Sequence, residues 1–162
     1  MDRNRTQDID DYKRALRICG ELLSQRDYSE KKLREKLLSR EVPPDAADSA
    51  IEEMKNAHYL DDARYASSFI MAHLHNRSML RIRNDLKERG ISDEVIADAV
   101  AGVDREEAAA GEMEQIRAAL EKKKYIPGET DYATRQKIMA SLYRKGFQPG
   151  LIRKAMDADE EF

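Results

Sequence analysis

Apolar residues recur at intervals of three and four along most of the chain, which is the spacing of one buried helix face. No segment alternates apolar with polar residues over the length of a β-strand, and the chain contains only four valines and three threonines. We therefore predict an all-α fold. The helical spacing is clearest at Leu16, Cys19, Leu22 and Leu23, at Leu33 and Leu37, at Tyr65 and Phe69, and at Ile82 and Leu86.

Prolines and capping residues divide this pattern into separate helices. Pro43-Pro44 stands before an aspartate, Asp61-Asp62 opens another apolar run, and Ser92 precedes two acidic residues. Each is typical of a helix start, because proline fits the first turn, a side-chain oxygen caps a free N–H, and acidic residues favour the positive end of the helix dipole. We also predict an opening helix over about residues 8–26 and a long helix over about residues 104–124.

A pattern of 22 positions occurs three times without a gap, beginning at Ser29, Ser78 and Thr134. Four and eight residues later each copy has Leu or Ile, and eleven residues later each has Arg or Lys. Each copy predicts a helix of about 12 residues, a tight turn and a second helix of similar length. The starts lie 49 and 56 residues apart, which fits a helical repeat better than a single bundle.

The turn after the first helix of each copy holds Glu41, Gly90 or Gly146. Glycine suits the left-handed conformation that commonly ends a helix. Because the first copy has glutamate there, we expect its turn to differ, with Pro43-Pro44 supplying stiffness.

These elements predict an elongated, curved array of tandem three-helix repeats. Residues 1–27 would form an N-terminal capping helix, and residues 28–76 the first repeat. Residues 77–125 would form the second repeat, and residues 126–162 a truncated third repeat of two helices.

The formal net charge is only −3, from 29 basic and 32 acidic residues, and such near-neutrality argues against a dedicated nucleic-acid binder. The charges are unevenly distributed, however. The first helices sum to +9, because residues 29–40 carry +3, residues 78–89 carry +2 and residues 134–145 carry +4. The second helices carry −3, −3 and −2 over residues 45–57, 92–103 and 149–162.

Two interpretations of the basic first helices stay open. They are ordinary solvated helix faces that lie beside acidic helices, or they form one stripe that follows a phosphate backbone or an acidic protein groove. A stripe predicts binding that weakens steeply with salt. The candidate contact residues are Lys31, Lys32, Arg34, Arg81, Arg83, Lys87, Arg135, Lys137, Arg144 and Lys145.

The sequence offers few groups suited to catalysis or metal binding. The single cysteine, Cys19, allows no internal disulfide and is expected to be a buried apolar residue. His73 and His75 are two residues apart, which places them on different helix faces. Asp61-Asp62 is either an acid–base or metal pair or a helix N-terminus, and we favour the helix N-terminus. We find no phosphate-binding loop or nucleophile motif, and we expect neither an enzyme nor a cofactor.

Aromatic residues are sparse and tryptophan is absent. Tyr65 and Phe69 are expected in the core. Tyr59 and Tyr125 precede bends and are expected to seal helix junctions, with base stacking as the alternative. No apolar run is long enough to span a membrane and no signal-peptide core follows the N-terminus, so we expect a cytoplasmic protein. Nothing in the sequence supports an oligomer, and we expect a monomer.

Four short segments stand out along the chain: residues 29–37 (SEKKLREKL), 59–66 (YLDDARYA), 82–91 (IRNDLKERGI) and 142–147 (LYRKGF). In their order and spacing, which extend over about residues 11–158, they resemble the RecX family, whose members regulate the RecA recombinase. The chain departs from the family pattern in two places. His58 stands where a glycine is common, and Asn76-Arg77-Ser78 stands where a lysine-glycine pair commonly opens the second repeat.

The resemblance implies a small all-helical protein of tandem three-helix repeats without catalytic activity. It implies binding within the groove of the RecA–DNA filament, which limits filament extension, ATP hydrolysis, strand exchange and co-protease activity, and so regulates DNA repair and the SOS response. It also implies weak, salt-dependent binding to single- and double-stranded DNA. The alternatives are a sequence-nonspecific DNA-binding protein that acts on recombination indirectly, and a helical adaptor scaffold.

Overall fold

A computed structural model describes residues 2–157, and within them the chain forms nine helices and no strand. The prediction of an all-α fold is therefore confirmed. None of the helices in this range is long and apolar enough to cross a membrane. The helices are α1 (Asp2–Gln25), α2 (Glu30–Ser39), α3 (Pro44–Asn56), α4 (Asp62–His73), α5 (Met79–Glu88), α6 (Asp93–Ala101), α7 (Arg105–Lys122), α8 (Tyr132–Arg144) and α9 (Pro149–Met156).

The chain divides into two compact units. The first unit combines the described residues up to Ala66 with Leu86–Ala97, and the second combines Ser67–Asp85 with the described residues from Asp98 onward. Helices α4, α5 and α6 therefore each contribute to both units.

The first unit is built on α1, α2 and α3, which bury their apolar faces against one another. Cys19 is fully buried, as predicted, and burial raises the pKa of its thiol to about 11. A neutral thiol in this position packs as a small apolar side chain. The centre of this core is formed by Ala15, Cys19, Leu33, Leu37, Ala47 and Ala50.

The second unit has a core between α7, α8 and α9. Tyr125 packs against it and donates its hydroxyl to the Met156 carbonyl oxygen over 3.0 Å, so the prediction that Tyr125 seals a helix junction is confirmed. The same prediction was wrong for Tyr59, which belongs to the first unit and is 64% exposed. The buried residues of this core are Ile116, Leu120, Ile138, Leu142, Phe147, Ile152 and Met156.

The turn after the first helix of each repeat is the same in all three copies. Glu41 has a φ of 62°, close to the values of 80° at Gly90 and 89° at Gly146. The expectation that the glutamate changes this turn was therefore wrong. In each copy the amide of the following apolar residue closes the turn onto the helix, with Val42 donating to Leu37, Ile91 to Leu86 and Phe147 to Leu142.

Two helix starts differ from the sequence prediction. Helix α1 begins at Asp2, about six residues earlier than predicted. Helix α8 begins at Tyr132, because Asp131 caps it by accepting a hydrogen bond from the Thr134 amide over 2.9 Å. Thr134 therefore lies within the first turn of α8, whereas Ser29 caps α2 from outside the helix.

Candidate functional site

Ser29 fastens the start of α2 to the end of α5 within the first unit. Its Oγ accepts a hydrogen bond from the Lys32 amide over 3.3 Å and donates one to the Arg89 carbonyl oxygen over 2.6 Å. The next residue, Gly90, lies so close to α2 that an added Cβ would stand 2.5 Å from the Cβ of Lys31. We call this contact the first joint.

Ser78 makes an equivalent contact, the second joint, within the second unit. Its Oγ accepts from the Arg81 amide over 3.2 Å and donates to the Lys145 carbonyl oxygen over 2.6 Å. A Cβ added to Gly146 would stand 2.8 Å from the Cβ of Leu80. Both joints therefore bring the start of one first helix against the end of the next repeat's first helix.

A carboxylate from a neighbouring helix completes each joint. Asp62 accepts from the Glu30 amide over 2.8 Å at the start of α2, and burial raises the pKa of this carboxyl group. Glu112, only 3% exposed, accepts from the Met79 amide over 2.9 Å and from the Gln148 amide over 3.3 Å. The sequence prediction missed both partners, although an acidic residue within the apolar pattern of α7 is a signal for a buried cap.

Asp61 and Asp62 both serve helix starts. The Oδ1 atom of Asp61 accepts from the Arg64 amide over 3.1 Å, and Asp62 caps α2. The favoured interpretation, a helix N-terminus, accounts for both carboxylates. Across residues 2–157 no group of three or more His, Cys, Asp or Glu side chains is placed to hold a metal ion.

Two of the four basic residues of α2 pair with acidic residues of the first unit, and the other two, Lys31 and Lys36, are exposed. Lys32 pairs with Glu35 over 3.2 Å. Arg34 pairs with Asp48 over 2.7 Å, and this contact lowers the pKa of the Asp48 carboxyl group. These contacts agree with the interpretation of α2 as a solvated face beside acidic residues.

The basic residues of α5 fall into two groups. Lys87, in the first unit, lies 3.5 Å from Asp93. Arg81 and Arg83, in the second unit, are exposed and have no ion-pair partner among the described residues.

The basic residues of α8 and its end all belong to the second unit. Arg135 pairs with Asp157. Lys137, Arg144 and Lys145 are exposed and form no ion pair within the described part of the chain. Four of the ten candidates, Lys32, Arg34, Lys87 and Arg135, thus have an acidic partner inside the protein.

A cleft of about 520 Å³ lies beside the second joint, between α5, α7 and the end of α8. Its lining includes four basic residues and no acidic residue. One of the four, Arg77, is paired with Asp85 over 2.8 Å. We call this site the cationic cleft; its basic residues are Arg77, Arg81, Arg144 and Lys145.

Three family models match the chain in order along its length. They describe the first, second and third three-helix domains of RecX and match residues 12–54, 61–100 and 111–156. These ranges cover most of the sequence.

The chain belongs to the RecX family.

Proteins named regulatory protein RecX match this chain over most of their length. The one from Xanthomonas axonopodis pv. citri (strain 306) is 32% identical over 145 residues, which are 86% of this chain and 84% of the relative. The one from Trichlorobacter lovleyi is 31% identical over 156 residues, which are 93% of this chain and 96% of the relative.

Two solved RecX structures share the fold. One, described as regulatory protein RecX, has a TM-score of 0.80 at 19% identity and covers 94% of this chain and 74% of its own. The other, RecX from Lactobacillus salivarius, has a TM-score of 0.79 at 19% identity and covers 95% and 99% of the two chains. The tandem three-helix organisation is thus established.

The RecX domain models group the helices as α1–α3, α4–α6 and α7–α9. The boundaries predicted from the sequence, at residues 28, 77 and 126, divide the same series one helix later and remain a prediction.

The residue before Tyr59 adopts a left-handed backbone conformation. His58 stands where a glycine is common, and its φ is 63°. This is the left-handed region that glycine enters without steric cost. The following amide, of Tyr59, still donates to the Met54 carbonyl oxygen over 2.9 Å.

Proposed function

We propose that the protein is a non-enzymatic, cytoplasmic regulator that binds the RecA–DNA filament. It limits filament extension and with it ATP hydrolysis, strand exchange and co-protease activity. Family membership supports this proposal, and the observation that carries it furthest is the cluster of exposed, unpaired basic residues in the second unit. Such a cluster suits a partner that presents closely spaced negative charges, as a RecA–DNA filament does.

The chemistry of the site favours binding over catalysis. The cationic cleft is lined by Arg, Lys, amide and apolar side chains, and guanidinium groups remain protonated at physiological pH. The groups near it that commonly act as acids or bases, Asp85 and Glu112, are held by hydrogen bonds to Arg77 and to backbone amides. The site therefore offers fixed positive charge and hydrogen-bond donors.

The proposal is tested by measuring how strongly this protein inhibits the DNA-dependent ATP hydrolysis that its cognate RecA carries out. One variant replaces the unpaired residues Arg81, Arg83, Arg144 and Lys145 with alanine, and a matched control replaces the paired residues Lys32, Arg34, Lys87 and Arg135. Both variants lose four positive charges. We expect the first to need at least about tenfold more protein for half-inhibition, because each lost phosphate or carboxylate contact weakens a salt-dependent interface. The control should stay within about threefold of the wild type.

Two results would contradict the proposal. One is equal inhibition by the two variants with unchanged helicity by circular dichroism, and the other is the absence of inhibition by the wild-type protein.

The cationic cleft also favours one second candidate function, that of a sequence-nonspecific DNA-binding protein that affects RecA only by competing for DNA. Stoichiometry separates the two functions. Full inhibition of filaments on saturated DNA, at well below one regulator per RecA protomer, supports filament binding. Inhibition only when the protein is present in amounts that cover the DNA supports competition. A helical adaptor scaffold would show neither salt-dependent DNA binding nor filament binding.

A further inference from the structure

We infer that the cationic cleft is the part of the molecule that contacts DNA, and that it does so by holding the phosphodiester backbone. The choice of DNA as the ligand rests on the proposed function. The remainder of the inference rests on the charges, contacts and volume of the cleft, and binding to DNA can be measured without RecA.

The donors that line the cleft suit phosphate oxygens. Arg81 and Arg144 carry planar guanidinium groups, which bind phosphate through two parallel hydrogen bonds. Lys145 adds a third unpaired positive charge, and the amide of Asn84 adds neutral donors. Gln115 is already used, because its Nε2 donates to the carbonyl oxygens of Leu74 and Arg77. Charge-assisted donors therefore dominate the free hydrogen-bonding capacity of the cleft.

The charge of the cleft is not balanced within the second unit. Its lining carries four positive charges and no negative charge, and the nearby carboxylate of Asp85 pairs with one of the four, Arg77. Like charges that share a concave surface repel one another and focus a positive potential into it. A bound anion removes that repulsion. The volume of about 520 Å³ lies within the range of about 300–1,000 Å³ that is usual for ligand sites.

The joint itself does not require these charges. In the repeat register the positions of Asn84 and Arg144 correspond to Glu35 and Glu88 in the first unit. The first joint nevertheless has the same serine hydrogen bonds and the same close approach of glycine.

Two of the three basic residues beside the first joint are already engaged, and the third, Lys31, is exposed without an ion pair in the described part of the chain. Lys32, which corresponds to Arg81, is paired with Glu35, and the stem of Lys31 lies where Gly90 approaches α2. Arg89, which corresponds to Lys145, donates from Nε to the Tyr65 hydroxyl over 3.1 Å. One backbone arrangement therefore has two different charge environments: among the described residues, three unpaired positive charges lie at the second joint and one, that of Lys31, at the first.

The arrangement of charge in the site suits a phosphodiester chain. Three unpaired positive charges, of Arg81, Arg144 and Lys145, lie around one concave volume of about 520 Å³, and a phosphodiester chain carries one negative charge in each repeating unit. Positive charges that bind phosphates release counterions from nucleic acid, which makes the affinity fall steeply with salt.

The test transfers the residues of the first joint to the second. The variant Asn84→Glu with Arg144→Glu changes the net charge by −3, and both positions already hold glutamate in the repeat register of the first joint. A control, Lys36→Glu with Ser39→Glu, makes the same charge change at exposed positions of α2 outside the cleft. Fluorescence anisotropy with labelled single-stranded and double-stranded oligonucleotides, without RecA, measures affinity at several salt concentrations.

We expect the cleft variant to lose at least about tenfold in DNA affinity and to reduce the salt slope by about one to two. The control should stay within about threefold of the wild type. Arg144→Lys should lose less affinity than Arg144→Glu, since it keeps the charge but gives up the paired hydrogen bonds of the guanidinium group. Equal weakening by the cleft variant and the control would overturn the inference, because it would show an effect of overall charge alone.

Other outcomes separate this inference from the proposed function. If the cleft variant binds DNA normally but no longer inhibits RecA, the cleft contacts protein and the inference is overturned, while the proposed function stands. If it loses DNA binding and the wild type inhibits RecA, both stand. If the wild type binds DNA through the cleft but never inhibits RecA, only the inference stands.

A competition experiment tests which phosphate compound the cleft binds. Inorganic phosphate and ATP are each added to the complex with the labelled oligonucleotide. Displacement of the oligonucleotide by low ATP concentrations would overturn the choice of DNA.

Discussion

The first and second joints have the same backbone contacts and opposite electrostatic character. In both, a buried serine caps one helix and bonds to a carbonyl at the end of another, and a glycine with positive φ allows close approach. Around the first joint Lys32 is paired with Glu35 and Arg89 is bonded to Tyr65, whereas around the second Arg81, Arg144 and Lys145 are exposed and form no ion pair among the described residues. The serine and glycine that the two joints share therefore specify how the helices meet, and the residues that differ around each joint specify what the surface binds.

The same comparison shows why a charge count along a helix is a poor guide to binding. The segment 29–40 has more basic residues than the segment 78–89. Lys32 and Arg34 in the first segment are nevertheless paired with Glu35 and Asp48. A positive charge beside an acidic partner contributes little to the field that an external anion experiences.

The largest effect is expected from replacing the joint glycines with alanine. Gly90 and Gly146 have φ values of 80° and 89°, and an added Cβ would lie 2.5 Å from the Cβ of Lys31 and 2.8 Å from that of Leu80, respectively. Left-handed strain and steric overlap together should lower the free energy of unfolding by about 2–4 kcal/mol for each variant. Urea unfolding followed by circular dichroism measures this loss.

Glu41→Gly is the matched control at the same position of the first repeat. Its φ of 62° is the same kind of left-handed conformation. Glycine relieves strain of about 1–2 kcal/mol and adds backbone entropy to the unfolded chain, so a net gain of about 0.5–1 kcal/mol is expected. A destabilising Glu41→Gly, or a neutral Gly90→Ala, would contradict the view that conformation and contact together select glycine.

The second effect concerns the joint serines. Ser78→Ala removes the cap from the Arg81 amide and the donor from the Lys145 carbonyl oxygen, at a site that is only 2% exposed. A loss of about 1–3 kcal/mol in the free energy of unfolding is expected. Ser29→Ala should cost a similar amount, because the first joint has the same two bonds.

Ser92→Ala provides the control for these variants, since Ser92 is exposed and its Oγ accepts a single hydrogen bond among the described residues, from the Val95 amide. It should cost about 0.5–1 kcal/mol. DNA affinity sharpens the comparison further, because Ser78→Ala disturbs the lining of the cationic cleft and Ser29→Ala does not. Equal DNA affinities in the two folded variants would contradict that distinction.

The sequence register was sufficient to predict the joints' serines and glycines as helix boundaries, because caps and left-handed turns depend on local residue types. It could not show that Glu41 shares the turn, since the positive φ there is imposed by the closing hydrogen bond from Val42 to Leu37. Nor could it show the partner of Arg34, because Asp48 comes from the next helix.

The cationic cleft was predictable only in part. Arg81, Arg144 and Lys145 were among the candidates, but residue type alone did not separate them from the ion-paired ones. The separation depends on Asn84, which stands where the first repeat has an acidic residue, and on the tertiary contact that brings α5 to the end of α8. Helical periodicity in the sequence carries no information about tertiary contacts of this kind.

The third effect is a gain of binding at the first joint. Glu35→Asn with Glu88→Arg gives this joint the residues of the second, releases Lys32 from its partner and changes the net charge by +3. Affinity for a single-stranded oligonucleotide should rise by about three- to tenfold, which is about 0.7–1.4 kcal/mol. The control Ser39→Lys with Glu53→Lys also adds three positive charges, at exposed positions of the first unit outside the joint. An equal gain per added charge in both variants would show that position is irrelevant.

The smallest expected effect is on the pH dependence of the free energy of unfolding. It involves two carboxylates of the first unit whose pKa values shift in opposite directions. Burial raises the pKa of Asp62 above its ordinary value of 3.8, so the folded state binds this proton more tightly than the unfolded state. The free energy of unfolding therefore falls as pH rises from 3.8 through the raised value. Asp62→Asn keeps an acceptor for the Glu30 amide and removes the titration, so it should gain stability over the wild type with rising pH and keep that gain at neutral pH.

Asp48 should behave in the opposite way. Its hydrogen bond with Arg34 lowers its pKa below 3.8, so the ionised form stabilises the fold above that pH and the contribution is lost on acidification. Asp48→Asn should be slightly less stable than the wild type at neutral pH, and the deficit should disappear in acid. Urea unfolding between about pH 3 and about pH 7 measures both differences. A parallel pH dependence of the two variants would contradict the contrast, because burial and ion pairing act on the charged form with opposite sign.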